Sequence, residues 1–254
     1  MIMPEELVKL ARTNKKSLYH LEKAYLQTIA LQAIYTKFNF TFKGGTALMM
    51  YAHLPRFSED LDFTVPKAKT IPLSLIAKTI QEEFTNYGIQ SQVDNQKETD
   101  ISMSFRIGAE GPLFESEKSR CYLKIEISSR EQVLLPTKKE YHQPIFPDIL
   151  PFNIFFMDLN EILAEKIRAV MSRRRARDIF DLWFLLIKGV EIKLELVQSK
   201  LDYYQIKWDL DDFLKRLNFP QKKWIRIIQP IVWQSVPPYN QITKQISEII
   251  KRQL

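Results

Sequence analysis

The feature that most constrains this fold is a change in apolar periodicity near residue 150. Helix-like and β-like segments alternate before it, whereas after it apolar residues recur with a helical period of about 3.6 residues. A proline-punctuated stretch over residues 136–151 marks the change. We therefore expect an α+β domain over residues 1–150 and a helical domain over residues 151–254. The helices predicted for the second domain cover residues 158–172, 176–187, 194–202, 209–217, 221–229 and 240–252.

The first domain mixes helical and extended segments. Apolar stripes predict a long helix over residues 17–37 and a second helix over residues 72–86. A short helix is expected over residues 46–52, before a proline. Together with the extended segments, these elements predict a mixed sheet of four or five strands flanked by helices. The predicted strands cover residues 40–43, 61–65, 89–93, 101–107 and 121–128.

The composition narrows the class of protein and its partners. The chain has 254 residues and a net charge of +7, which favours an anionic partner such as nucleic acid or a nucleotide. No apolar run approaches the roughly 20 residues that cross a bilayer, and the first residues lack the apolar centre of a signal peptide. A lone cysteine, Cys121, excludes an internal disulfide and zinc sites built on paired cysteines. We expect a cytoplasmic protein without a membrane partner.

A glycine pair stands between a predicted strand and a predicted helix. Gly44 and Gly45 would let the backbone approach a ligand closely, and the first N–H groups of the helix would point at an anion there. The hydroxyl of Thr46 could donate to a phosphate oxygen. The alternative interpretation is an ordinary Gly-Gly turn with no ligand.

Acidic residues follow on the next strand. Asp60 and Asp62 alternate with apolar residues, so both carboxylates project from one face. Two such carboxylates repel unless a cation lies between them, and oxygen ligands of this kind suit Mg²⁺. Glu126 lies on the polar face of a later strand and completes a triad if that strand is a neighbour, as two-metal phosphoryl transfer requires. Otherwise this is a solvated face on which Glu126 pairs with Lys124 or Arg106.

The helical part contributes a lysine and two acids. Lys166 lies within an apolar stripe, so it must either extend its ammonium group to solvent or meet an anion. Asp178 and Asp181 are three residues apart and share one helix edge.

The densest positive charge of the chain lies between these two helices. An exposed charge run is typical of a solvated face, but beside a phosphate site it indicates contact with a nucleic-acid backbone. The cluster consists of Arg173, Arg174, Arg175 and Arg177.

Taken in order, these segments resemble the AbiEii/AbiGii family of nucleotidyltransferase toxins, within the DNA polymerase β-like superfamily. The resemblance rests on GGTAL, RFSEDLDF, LKIEIS, LAEKIRA and RARDIFDLW, which span roughly residues 40–187. It implies a polymerase β-like nucleotidyltransferase domain followed by a helical domain that completes the cleft and contacts the acceptor. It also implies transfer of a nucleoside monophosphate from an NTP, with Mg²⁺ or Mn²⁺ as cofactor and pyrophosphate as product.

The resemblance assigns roles to individual residues. By that resemblance Asp60 and Asp62 hold the metals, and Glu126 acts as third ligand or base. Lys166 would steady the triphosphate, and Asp178 matches the acid of the later Arg-Asp-x-x-Asp segment. The residues expected to cradle the triphosphate are Gly44, Gly45 and Thr46.

The function expected from the sequence is that of a toxin in a toxin–antitoxin pair. The expected acceptor is RNA, with tRNA as one candidate, and the expected protein partner is a cognate antitoxin. Two alternatives stay open at this point. One is transfer of the nucleotide to a protein hydroxyl or a small molecule, and the other is a non-catalytic nucleic-acid-binding module that uses only the arginines.

Overall fold

The structure is a computed structural model that describes residues 1–14, 16–66 and 71–254. The chain divides into two compact units that do not follow a single cut. The first unit comprises residues 1–47, 59–132 and 137–156, and the second comprises residues 48–58, 133–136 and 157–254. That the two domains expected on either side of residue 150 have separate functions stays a prediction.

The first unit contains a mixed seven-stranded sheet with the order β3-β4-β5-β2-β1-β7-β6. The pairs β2–β5 and β1–β7 are parallel, and the other neighbours are antiparallel. The expected α+β class is confirmed, although the sheet has more strands than the four or five predicted. Its strands are β1 (Thr41–Lys43), β2 (Asp60–Thr64), β3 (Ser91–Thr99), β4 (Ser102–Ala109), β5 (Cys121–Ser128), β6 (Lys138–His142) and β7 (Phe152–Phe156).

Four helices begin in the described part of the first unit, and two of them were predicted closely. In α2, the Ser17 side chain caps the helix by accepting a hydrogen bond from the His20 N–H. Helix α3 begins two residues before the predicted start, at Gly44 itself. The sequence analysis missed α1, β6 and β7. The helices are α1 (Pro4–Asn14), α2 (Leu18–Lys37), α3 (Gly44–Tyr51) and α4 (Leu73–Asn86).

The two missed strands have no alternating pattern to reveal them. Strand β6 is an edge strand in which the first four of five residues are exposed, so it lacks an apolar face. Strand β7 is a short, mostly apolar run, which periodicity alone does not distinguish from a buried helical turn. Both strands form because neighbouring strands satisfy their backbone groups, and that information is not local.

The second unit is helical, and all six predicted helices are present with ends within about two residues of the prediction. Apolar residues of these helices form a single buried core, in which Phe180 and Trp224 lie with ring centroids 6.4 Å apart. The helices are α5 (Leu159–Ser172), α6 (Ala176–Ile187), α7 (Leu194–Asp202), α8 (Leu210–Arg216), α9 (Gln221–Ile228) and α10 (Tyr239–Gln253).

A buried charge cluster explains why the loop of residues 133–136 belongs to the second unit. The Glu161 carboxylate accepts hydrogen bonds from the backbone N–H groups of Leu134 and Leu135, at 2.9 Å each for the shortest contacts. The Lys200 ammonium, which is fully buried, lies 2.6 Å from the same carboxylate. Paired donors of this kind are needed because an isolated buried charge is strongly unfavourable.

Within residues 1–14, 16–66 and 71–254, no helix has the length and apolar character that a bilayer crossing requires.

Candidate active site

Strand β2 positions the two aspartates that the sequence singled out. Asp60 and Asp62 are half-buried on one face, while Leu61 and Phe63 are buried on the other. Strand β5 lies parallel to β2, and its register places Glu126 directly beside Asp62. The three acidic residues therefore share a sheet face, as the alternation and the expected strand pairing predict.

The Glu126 carboxylate already has a partner in this structure. It is bound by the Lys124 ammonium, two residues earlier on the same strand. The other candidate partner, Arg106, instead makes two hydrogen bonds to Asp94, at 2.8 and 2.9 Å. In the described part of the chain, no three acidic, histidine or cysteine side chains converge as a metal-binding group. The expected triad is thus in register on the sheet but is not assembled, since Lys124 occupies its third member.

Burial and neighbouring charges set the electrostatics of this face. Burial raises the pKa of Asp60, the carboxylates of Glu126 and Glu59 add to that rise, and the Lys124 ammonium opposes it. Because the ionised form of Asp60 is disfavoured here, a bound cation would be stabilising. Half-buried carboxylate oxygens are also the ligand type that Mg²⁺ and Mn²⁺ prefer. Asp60 and Asp62 therefore fit a divalent cation.

Gly44 makes room for one of these carboxylates. Its backbone has φ +75°, a region that favours glycine, and a Cβ placed there would lie 2.2 Å from Asp62 Oδ2. The Asp62 carboxylate therefore lies against the first turn of α3. The glycine expected from the sequence to admit a phosphate is required here for the close approach of an aspartate.

Thr46 has a different hydrogen bond from the one the sequence suggested. Its side chain is fully buried, and its hydroxyl donates to the backbone carbonyl oxygen of Asp60 at 2.5 Å. The hydroxyl that was expected to donate to a phosphate oxygen thus forms a hydrogen bond that connects α3 to the start of β2. Thr46 therefore holds the two elements in register.

In the second unit, the Lys166 ammonium contacts two carboxylates, and the alternative of extension to solvent is wrong. The Lys166 ammonium lies 2.7 Å from Asp181 Oδ2 and 3.1 Å from Asp178 Oδ1, and the residue is 9% exposed. Burial alone would lower the pKa of Lys166, but Asp181 and Asp178 outweigh burial and hold it above its ordinary value. Its partners in this structure are carboxylates of the protein and not a phosphate.

Two arginines, Arg56 and Arg173, extend the contacts of Lys166 with its two aspartates into a network of five charged side chains. Arg56 binds Asp181 through two nitrogens, at 2.6 and 2.7 Å, and Arg173 binds Asp178 Oδ2 at 2.9 Å. Burial alone would raise the pKa of Asp178, but Lys166 and Arg173 outweigh burial and hold it well below its ordinary range. Positive and negative groups alternate along the network and leave one net positive charge.

Arg56 is the residue of this network that sequence reasoning missed. It stands at the start of the RFSEDLDF segment and is 3% exposed, although arginine is rarely buried without a partner. Its partner Asp181 is 125 residues away in sequence, so no local pattern connects them. The only signal available was the presence of both residues in the two segments that carried the resemblance.

The arginine cluster lies at the junction of α5 and α6, where Arg173 follows α5 and Arg175 precedes α6. Arg173, Arg174, Arg175 and Arg177 are all exposed. Arg173 is also engaged by Asp178. The remaining three guanidinium groups are thus better placed to meet an external anion.

A comparison with sequence families decides the identity of the fold and its chemistry. The profile described as "Nucleotidyl transferase AbiEii toxin, Type IV TA system" matches residues 31–238. The chain belongs to the AbiEii family. No match was found among curated proteins.

Solved structures similar to this AbiEii protein share its fold. A Helicobacter pylori protein assigned to the nucleotidyltransferases is 21% identical, with a TM-score of 0.65 over 93% of this chain and 95% of that chain. The nucleotidyltransferase toxin MenT4 from Mycobacterium tuberculosis is 17% identical, with a TM-score of 0.66 over 96% of this chain and 87% of that chain. These likenesses extend over both compact units.

Family membership establishes the general activity of the AbiEii protein. It is a nucleotidyltransferase and the toxin of a type IV toxin–antitoxin system. Its donor substrate is accordingly a nucleoside triphosphate, and an antitoxin is its partner. The polymerase β-like mixed sheet flanked by helices, expected from the resemblance, is confirmed as a nucleotidyltransferase fold.

Proposed function

We propose that this AbiEii protein transfers a nucleoside monophosphate from an NTP to RNA, with Asp60 and Asp62 as ligands of a divalent cation. The observation that carries the proposal is the register of β2 and β5, which places Asp62 beside Glu126 with Asp60 on the same face. Carboxylates that cluster on one sheet face are what phosphoryl transfer from a metal-bound triphosphate requires.

The proposed reaction is an exchange at the α-phosphorus. A hydroxyl oxygen of the acceptor forms a bond to the α-phosphorus, the bond to the bridging oxygen of the β-phosphate breaks, and pyrophosphate leaves. The hydroxyl proton passes to the Glu126 carboxylate, because Asp60 and Asp62 are assigned to the cation. Bound Mg²⁺ or Mn²⁺ would neutralise charge on the triphosphate.

The remaining donor-side roles rest on the family resemblance and on local geometry. Gly44 and Gly45 open α3, whose first N–H groups are oriented to meet a phosphate oxygen. Lys166 uses two ammonium contacts for Asp178 and Asp181. An ammonium group has three N–H donors, so one is left for a triphosphate oxygen.

The proposal of an RNA acceptor, with tRNA as one candidate, rests on the arginine cluster. Three exposed guanidinium groups besides Arg173 exceed what a single triphosphate needs, whereas a polynucleotide offers a row of phosphates. The cluster consists of Arg173, Arg174, Arg175 and Arg177.

The test is transfer of label from each of the four NTPs, added separately, to total RNA in the presence of Mg²⁺ or Mn²⁺. We expect one or more NTPs to label RNA in a metal-dependent way, and Asp62→Asn to label none. Digestion of the product with ribonuclease or with protease identifies the acceptor. Label that resists ribonuclease and is lost on protease treatment would assign the acceptor to a protein hydroxyl instead.

A further inference from the structure

The charge of the chain is divided unequally between its two compact units. The second unit contains nineteen of the lysines and arginines and twelve of the acidic residues, so its net charge is +7. That equals the net charge of the whole chain, and the first unit, which carries the sheet, is neutral. The attraction for a polyanion therefore originates in the helical unit.

Helix α9 presents one uniformly basic face. Trp224 and Ile228 are buried, whereas Lys222, Lys223 and Arg226 are exposed on the opposite side. At about 100° per residue the three cations fall within roughly a third of the helix circumference. Helix α9 contains no acidic residue. Among the residues that the structure describes, these three cations take part in no ion pair.

Aromatic contacts connect the buried side of α9, opposite this face, to residues close to the arginine cluster. The Trp224 ring lies 4.6 Å from the Tyr239 ring and 6.4 Å from the Phe180 ring of α6, measured between centroids. Burial raises the pKa of Tyr239, and the Arg174 charge is close enough to oppose that rise. Arg174 and the start of α9 are thus both neighbours of Tyr239. Helix α9 and the arginine cluster thus adjoin the same aromatic group, and the α9 cations lie on the solvent side of that helix.

We propose that the basic face of α9, formed by Lys222, Lys223 and Arg226, is a second RNA-binding surface that continues the arginine cluster. It binds the sugar–phosphate backbone of the acceptor. The proposal rests on the proposed function, because it takes RNA as the acceptor. A single nucleotide or a small acceptor would not extend to a second group of cations, so this surface selects a polynucleotide.

The chain offers a matched control for the test. The variant Lys222→Gln/Lys223→Gln/Arg226→Gln removes three exposed charges from α9. The control variant Lys244→Gln/Lys251→Gln/Arg252→Gln removes three exposed charges from α10 of the same unit. Both variants lower the net charge equally, so a general effect of charge appears in both and a specific surface appears only in the first.

The measurement is binding of a fluorescent structured RNA, such as a tRNA transcript, as a function of salt concentration. We expect the α9 variant to bind about 10- to 100-fold more weakly at roughly 0.1 M salt, with a log–log salt slope shallower by about 2. We expect the α10 control to differ little from the wild type. NTP binding, titrated separately, should be the same in all three proteins, and melting temperatures check that each is folded.

The outcomes separate this proposal from the proposed function. If the wild type binds RNA and the α9 variant binds it equally well, or if the α10 control loses as much, the α9 surface is wrong and the RNA acceptor stands. If the wild type binds an acidic polypeptide tightly and RNA weakly with a flat salt dependence, the RNA acceptor itself is wrong.

Discussion

Arg56 binds Asp181 through two nitrogen–oxygen contacts of 2.6 and 2.7 Å, although the two residues are 125 positions apart in the chain. Both side chains are almost completely buried, at 3% and 0% exposure. Asp181 in turn holds Lys166, the lysine to which the family resemblance assigns a role in triphosphate binding. The position of that ammonium group therefore depends on a residue from a distant segment.

Removal of Arg56 should therefore be strongly destabilising. In Arg56→Met the Asp181 carboxylate stays buried with one counter-charge fewer, and the loss in unfolding free energy should be about 3–5 kcal/mol. Arg106→Met is the matched control, because Arg106 binds Asp94 with the same two-contact geometry on an exposed face. Exposed pairs contribute little, so the control should unfold at nearly the wild-type denaturant concentration. Equal losses in the two variants would contradict the argument from burial.

Substitution of Lys166 should affect both stability and nucleotide binding. Lys166→Met leaves two buried aspartates short of a cation, so we expect a loss of several kcal/mol in unfolding free energy. Methionine would suit the apolar stripe, but it cannot neutralise the two buried carboxylates. The double variant Lys166→Met/Asp178→Asn removes one of the two carboxylates that have lost a counter-charge and should recover part of the stability. If Lys166 also contacts the triphosphate, NTP affinity measured by calorimetry should stay low in the double variant.

The charge network also predicts how stability depends on pH. The folded pKa of Asp178 is depressed, so its contribution is present above about pH 4 and is lost as the pH falls through the folded value. The pKa of Lys166 is raised, so its contribution is present at neutral pH and is lost only as the pH rises above about 10. Unfolding free energy should fall more steeply between pH 5 and about pH 3 in the wild type than in Asp178→Asn. Parallel curves would show that Asp178 does not couple to folding in this way.

Alanine substitutions at two glycines distinguish the effect of backbone strain on stability from an effect on the position of the Asp62 carboxylate. Gly44 and Gly88 both have φ near +70°, at +75° and +71°. A Cβ at Gly44 would meet Asp62 Oδ2 at 2.2 Å, whereas one at Gly88 would meet nothing within 4 Å. Both alanine variants should lose about 1 kcal/mol of stability from the left-handed backbone. Only Gly44→Ala should also lose nucleotidyl transfer, and full transfer by this variant would show that the position of the Asp62 carboxylate is not needed.

The aspartates of β2 should be essential for transfer but not for folding. Asp60→Asn and Asp62→Asn remove charge from a face where Glu126 and Glu59 already repel Asp60, so melting temperatures should stay unchanged or rise slightly. Transfer of label from NTP should be lost in both variants. Binding of Mn²⁺, measured directly on the purified protein, should weaken in parallel. Unaltered Mn²⁺ binding in both variants would remove the metal assignment from this strand.

The sequence by itself determined the elements whose signal is local. The six helices of the second unit follow from a stripe that recurs within each helix, and their ends were predicted within about two residues. The shared face of Asp60 and Asp62 follows from strand alternation, which needs no knowledge of the neighbours. The order of these segments was also enough to identify the family.

Tertiary structure decided the partners of the charged groups. Lys166 was expected to meet a phosphate or solvent, and it meets Asp178 and Asp181 because α6 packs beside α5 in one core. Glu126 lies beside Asp62 only because β5 pairs with β2, and on that same strand Lys124 reaches it first.

Long-range pairing also decided the sheet edges and the distribution of charge. Strand β6 has no apolar face, so it forms only because β7 satisfies its backbone groups. Residues 48–58 add one of the seven net positive charges of the second unit, Arg56, and no local pattern indicates that this segment joins that unit. Amphipathic helices depend on neighbours along the chain, whereas edge strands, strand order and ion pairs depend on which distant segments exclude water together.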